Sequence, residues 1–164
     1  MGEIISQEVK LMVHDNETAL DQQTQHLFQK AREAAQNAYA KYSNFQVGAA
    51  LLLEDGKIVT GNNQENAVYP AGLCAERVAF FSAKSQNPNT SIEKVVIVAK
   101  SREEDNFRLA TPCGSCRQVM SEYEDNQKGK IKLFLCDEDG KIYESESIEN
   151  LLPFKFSENM LNNS

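Results

Sequence analysis

Lys94-Val95-Val96-Ile97-Val98-Ala99 is a run of β-branched and small apolar residues with no polar alternation. A strand written this way is covered on both faces, as an inner strand is when helices lie above and below its sheet. Working outward, a polar loop after it ends at Thr111-Pro112, and a helix follows from about Gly114 to Tyr123. Ile131 to Cys136 reads as the next strand, and Asp139-Gly140 turns into a short one at Lys141 to Glu144. A helical turn near Ser147 to Leu151 precedes Pro153. Toward the N-terminus, Cys74 to Lys84 has helix-forming content, with a loop rich in Asn, Gly and Pro before it. Phe45 to Leu53 and Lys57 to Thr60 flank Glu54-Asp55-Gly56 as a hairpin, in which the Asp-Gly pair supplies positive φ. Leu20, Leu27, Phe28, Ala31, Ala35, Ala38 and Tyr39 recur at helical spacing, predicting an amphipathic helix over about 19–40. Glu8 to His14 alternates in part and reads as a short extra edge strand. The order α-β-β-α-β-α-β-β gives an α/β fold with a mixed sheet covered by helices. No linker divides the 164 residues, so one domain over 1–164 is expected, with 1–18 as an N-terminal extension.

Apolar residues make up 41% of the chain, with eight Phe and five Tyr, enough for one core. The formal net charge is −7. Proteins that grip nucleic acid draw affinity from neutralising phosphates, so an acidic chain without a Lys/Arg run argues against that partner. No stretch approaches the roughly 20 apolar residues of a membrane span. The start, Met1 to Glu8, lacks a basic region followed by an apolar one, so no signal peptide is read there. A cytoplasmic location is expected. In such a reducing compartment Cys74, Cys113, Cys116 and Cys136 are poor disulfide formers, and metal binding or catalysis leads among their uses.

Two clusters carry chemistry: Cys74-Ala75-Glu76-Arg77 and Pro112-Cys113-Gly114-Ser115-Cys116-Arg117-Gln118, each where a loop becomes a helix. Cys113 and Cys116, three apart, share a helix face and can touch one Zn²⁺, with Cys74 as the third ligand. Helix N-termini favour thiolates. Side chains lean toward the N-terminus of their helix, so Glu76 can face the same metal. Arg77 is the counter-charge for three thiolates. Three protein ligands and an open position form the catalytic zinc pattern, whereas four close a structural site.

These two clusters together closely resemble the homotetrameric, three-cysteine class of zinc cytidine deaminases, whose ligand-x-Glu and Pro-Cys-x-x-Cys arrangement is a general signature of zinc deaminases. The resemblance runs from about Ala31 to Phe156 and implies a three-layer α-β-α fold with a mixed five-stranded sheet. It further implies one Zn²⁺ per subunit, a homotetramer, and a small nucleoside as substrate. Tyr42 to Ala50 is similar to the family's first-strand motif, which sets Phe45 against the nucleoside. Asn63-Gln64-Glu65-Asn66-Ala67 is similar to its ribose loop, with Asn63 and Glu65 on sugar hydroxyls. Gln64 stands where the family usually has an apolar residue. Leu151 to Phe156 resembles a segment whose aromatic, best matched by Phe156, reaches a neighbouring subunit's base pocket. The implied reaction converts cytidine and 2′-deoxycytidine to the uridine forms in pyrimidine salvage. An activated water attacks C4 while Glu76 moves protons, the backbone at Ala75 positions the pyrimidine, and Gln118 supports the metal-site network.

Other readings stand beside these. Cys113 and Cys116 alone fit a thioredoxin-like redox pair. Cys136 would complete a closed four-cysteine structural zinc module, which would leave Glu76 without a purpose. A deaminase of another small aminopyrimidine nucleoside is a second enzymatic reading, against which the Asn63/Glu65 pair favours an ordinary ribose. His14 and His26 read as surface or packing residues.

Overall fold

The computed structural model describes residues 2–161; Met1 and 162–164, part of the expected 1–164 domain, lie outside them. In chain order the elements are β1 (Met12–His14), α1 (Gln22–Gln36), β2 (Phe45–Leu53), β3 (Ile58–Asn62), α2 (Ala75–Gln86), β4 (Ile92–Ser101), α3 (Gly114–Asp125), β5 (Lys132–Cys136) and β6 (Ile142–Ser145). Short 3₁₀ turns add to these, among them Glu149–Leu151. The sheet order is β1-β6-β5-β4-β2-β3. Neighbours are antiparallel except for β4 and β5, which are parallel. The sheet therefore has six strands rather than five, because the extension's β1 pairs with β6, Val13 opposite Tyr143.

The unbroken apolar runs of β2 and β4 are explained by helices on both faces. Ala49, Leu51, Leu53, Val95 and Ile97 pack with Ala75, Ala79, Phe80, Cys116 and Met120 of α2 and α3. The alternate residues Ala50, Leu52, Val96 and Val98 pack with Leu27, Phe28, Ala31 and Ala35 of α1. Three layers result, α1 on one side and α2 with α3 on the other.

The edge strand is shorter than the Glu8–His14 alternation, spanning Met12–His14. Two further details depart from the sequence reading. α1 ends at Gln36, capped at Asn37, although Ala38 and Tyr39 keep helical spacing. Tyr39 instead donates its N–H to the Asn63 carbonyl at 3.0 Å and accepts from the Glu65 N–H at 2.9 Å. Pairing with the loop after β3 outweighs one further helical turn. In the β2–β3 turn the positive φ rests on Gly56 alone, at 82°, and Asp55 does not share it.

The topology places the site. β3 and β4 both run antiparallel to β2, so β3, β4 and β5 share one direction. α2 and α3 connect these strands in turn, and each must start at the strands' carboxyl end. In open α/β sheets that end is where ligands bind. Both helix N-termini, with Cys74 and Cys113 as their capping residues, therefore arrive on the same side of the sheet.

Candidate metal centre

Cys74, Cys113 and Cys116 come together, their three sulfurs all within 4.8 Å of one another. Cys113 Sγ and Cys116 Sγ are 3.5 Å apart. Sulfurs sharing one tetrahedral zinc at about 2.3 Å stand about 3.8 Å from each other, so the donor set fits that ion. Cys74 and Cys113 have extended backbone at ψ 154° and 166°, which turns each away from its own helix. Cys116, fully buried, sits in the first turn of α3.

The electrostatics favour a cation among the sulfurs. Hydrogen bonding from Cys116 first, then from Arg77, brings the Cys74 thiol down to about 5. Cys116 is pushed up, first by its hydrogen bond to Cys74 and then by burial. Arg77 Nη2 lies 3.9 Å from Cys74 Sγ and 3.5 Å from the Gly72 carbonyl. Its Nε is buried and has no hydrogen-bond partner. Burial opposes the Arg77 charge, and the contact with Cys74 more than restores it.

Glu76, only 5% exposed, is in the first turn of α2 beside these sulfurs. Burial raises its carboxyl above the ordinary range, and the Cys74 charge adds to this, against the pull of Cys116 and Arg77. Such a group holds a proton more readily than a surface carboxylate does. Next to Cys74 a cavity of about 430 Å³ opens, lined also by Asn63, Glu65, Tyr42 and Tyr69. Its volume is within the range of small-molecule sites.

The model of the cytidine and deoxycytidylate deaminase zinc-binding region matches residues 21–128. The chain belongs to this deaminase family. A cytidine deaminase from Halalkalibacterium halodurans is 40% identical over 138 residues, 84% of this chain and 97% of the relative. One from Sporosarcina psychrophila is also 40% identical, over 80% of this chain and 89% of its own length. The crystal structure of cytidine deaminase from Burkholderia pseudomallei matches with a TM-score of 0.69 at 37% identity, over 80% of this chain and 98% of that one.

Against this family background the remaining predicted residues divide. Ala75 is buried as the first residue of α2. Asn63 and Glu65 line the cavity, but both also hold backbone. Asn63 Oδ1 accepts from the Val47 N–H at 2.8 Å and its Nδ2 donates to the Phe45 carbonyl at 2.9 Å. Glu65 accepts from the Tyr42 N–H at 2.7 Å and from the Ser43 hydroxyl. Hydrogen bonding from Ser43, ahead of the Tyr42 and Ser43 N–H groups, lowers its pKa. Phe45, half-buried, is not part of the cavity lining, and Phe156 is exposed. The Gln118 amide donates to the Phe156 carbonyl at 2.9 Å, tying the C-terminal segment to α3.

Cys136 lies in the core on the α1 side of the sheet, across from the trio, so it cannot close a four-cysteine site. His14 pairs with Glu144 on β6. The residues that sequence reasoning passed over are Tyr42 and Tyr69, whose rings meet edge to face at 6.2 Å on the cavity lining. Tyr69 stands within the Asn- and Pro-rich loop before a helix start, while nothing next to Tyr42 marks it for the cavity.

Proposed function

We propose that this chain is a zinc-dependent hydrolase acting on cytidine and 2′-deoxycytidine, yielding the uridine forms and ammonia. The observation that carries the proposal is the buried Glu76 beside three convergent sulfurs at two helix N-termini. Zinc held by Cys74, Cys113 and Cys116 supplies a Lewis acid that makes water nucleophilic near neutral pH. Glu76 takes a proton from the water that adds to C4 and passes it to N3. It then carries the second water proton to the exocyclic amine, which leaves as ammonia while the C4 carbonyl forms. A carboxyl raised toward neutrality is suited to both giving and taking that proton. Arg77 offsets the negative charge of the sulfurs.

Asn63 and Glu65 keep acceptor capacity beyond their backbone bonds, which supports a role on ribose hydroxyls. Phe45 and the Ala75 backbone are assigned to the base. Phe156, exposed in a single subunit, is assigned to a neighbouring subunit's pocket in a homotetramer with one zinc per subunit. Gln118 acts through Phe156 as a positioning residue. The cavity's size and the net charge of −7 support a free nucleoside over nucleic acid. Residues 1–164 are read as one domain, serving pyrimidine salvage in the cytoplasm. Among the described residues no helix is long and apolar enough to cross a membrane.

The test is a cytidine assay on protein of known zinc content, following absorbance loss and ammonia, with a sizing column alongside. Glu76→Gln is expected to retain zinc and lose about 10²–10⁴-fold in kcat. Folded, zinc-loaded wild type with no turnover of cytidine or 2′-deoxycytidine would overturn the proposal.

A further inference from the structure

Cys113 and Cys116 are fixed by different means. Cys116 is fully buried and packs in the core with Met120 and Phe80. Cys113 is exposed and precedes the helix, so packing does not hold its side chain. Hydrogen bonds hold the backbone on either side of it, and they converge on one residue. The Arg117 Nε donates to the Pro112 carbonyl at 2.8 Å. The Arg117 backbone N–H donates to the Cys113 carbonyl at 2.9 Å. The peptide groups on both sides of the Cys113 Cα are thereby anchored to a single residue, which restrains the φ and ψ that aim its Cβ.

The same guanidinium reaches further. Nη1 donates to the Leu151 carbonyl at 3.0 Å and Nη2 to the Thr111 hydroxyl at 3.3 Å. Leu151 ends a turn whose start is held by the same helix, since buried Glu124 accepts from the Ile148 and Glu149 N–H groups at 2.9 and 3.0 Å. The 148–151 segment is thus a fixed point, and Arg117 ties the turn bearing Cys113 to it. Three directed bonds to three acceptors need a planar fork, which Lys cannot reproduce.

We infer that Arg117 is a positioning residue for the metal centre: it locks the exposed Cys113 sulfur onto the cation by bracing the 111–113 turn against the C-terminal segment. This rests on the zinc reading above, and the experiment separates the two. Groups that orient metal ligands typically contribute about 10–100-fold in metal affinity.

Zinc-loaded wild type, Arg117→Lys, Thr111→Val and Lys155→Ala are mixed with a chromogenic zinc chelator well below their melting temperatures, and zinc release is timed. Arg117→Lys is expected to release zinc about 10–100-fold faster than wild type. Thr111→Val, which removes one of the three bonds, is expected to release it about 2- to 10-fold faster. With cobalt in place of zinc, the sulfur-to-metal absorption bands of Arg117→Lys should shift. Lys155→Ala cuts other ties of the C-terminal segment, the 2.6 Å contact with Asp125 of α3 and the 3.7 Å contact with Glu149, and should release zinc as wild type does. Wild-type release from folded Arg117→Lys would overturn the inference, as would equal acceleration in Lys155→Ala, which signals general loosening. Should Arg117→Lys not fold, wild-type release from Thr111→Val overturns it. A wild-type chain that holds no zinc would instead remove the metal reading itself.

Discussion

Three sulfurs within 4.8 Å of one another are placed to share one cation, and thiolates are the form that ligates metal. Zinc removal should therefore change which thiols react. In chelator-stripped protein, exposed Cys113 and half-buried Cys74 are expected to take up iodoacetamide, while buried Cys136 does not. Zinc should protect both, and peptide mass spectrometry reads the difference; labelling of Cys74 and Cys113 unaffected by zinc would contradict shared ligation. At this scale the sequence was most informative, because ligand chemistry restricts residue type and helix starts restrict direction. It was silent where a side chain acts through backbone. Nothing in Gln118 as a letter points to the Phe156 carbonyl, and nothing in Arg117 points to Pro112 and Leu151.

Between elements, the packing of helices on the sheet depends on two approaches so close that only glycine fits. A Cβ on Gly61 of β3 would lie 2.5 Å from Ala79 N and 2.6 Å from the Ala75 carbonyl. One on Gly48 of β2 would meet the Ala31 carbonyl at 2.0 Å. These are backbone atoms and cannot swing aside. Gly61→Ala must push α2 outward, and it is expected to destabilise by about 1–3 kcal/mol, or more. Because the displaced turn carries Cys74 and Glu76, zinc retention should fall along with the melting temperature; a full complement of zinc at wild-type affinity would show the helix can yield without moving its ligands.

The cap of α1 makes a separate case. Asp21 accepts from the Thr24 N–H at 2.9 Å and from Lys94 at 2.9 Å. Burial works against its charge, yet these bonds bring its pKa from 3.8 to about 2. A depressed folded-state value means the stabilisation is present above 3.8 and disappears as pH falls through about 2. Asp21→Ala should cost about 1 kcal/mol near neutral pH. That is a fall of about 2–4 °C at this size, and the two melting curves should converge in strong acid. The hairpin, both covered strands and all three helices were legible because each carries a local signal: a turn pair, an unbroken apolar run, or helical spacing and composition. The end of α1 was not, since Ala38 and Tyr39 fit a helix locally and are taken over by the distant loop at Asn63–Glu65.

For the whole molecule, strand order decides where the chemistry sits, and order is what a pattern along the chain shows least. β2 is inserted between β3 and β4, although it precedes both. Nothing in its run of Ala and Leu distinguishes that place from an outer one. The N-terminal extension is the clearest example: its alternation shows a strand, but not that the strand would settle on β6. What holds it there is specific. Glu144 lies between His14 and Lys132 at 2.8 Å from each. The Asn150 amide takes both the N–H and the carbonyl of Lys10, at 3.1 and 2.8 Å. β1 thus covers a sheet edge that would otherwise present unpaired backbone groups. The metal centre is at the carboxyl ends of β3 and β4, with β5 and β6 between those strands and the extension. Deleting residues 2–14 should therefore separate stability from catalysis. Loss of the strand pairing and the bonds to Glu144 and Asn150 is expected to cost about 1–3 kcal/mol. Calorimetry would read this as a fall of several degrees, while kcat/KM for cytidine and zinc content remain those of the full chain. A shortened protein that melts normally but loses zinc or activity would mean that the β1 edge and the helix starts are mechanically coupled across the sheet.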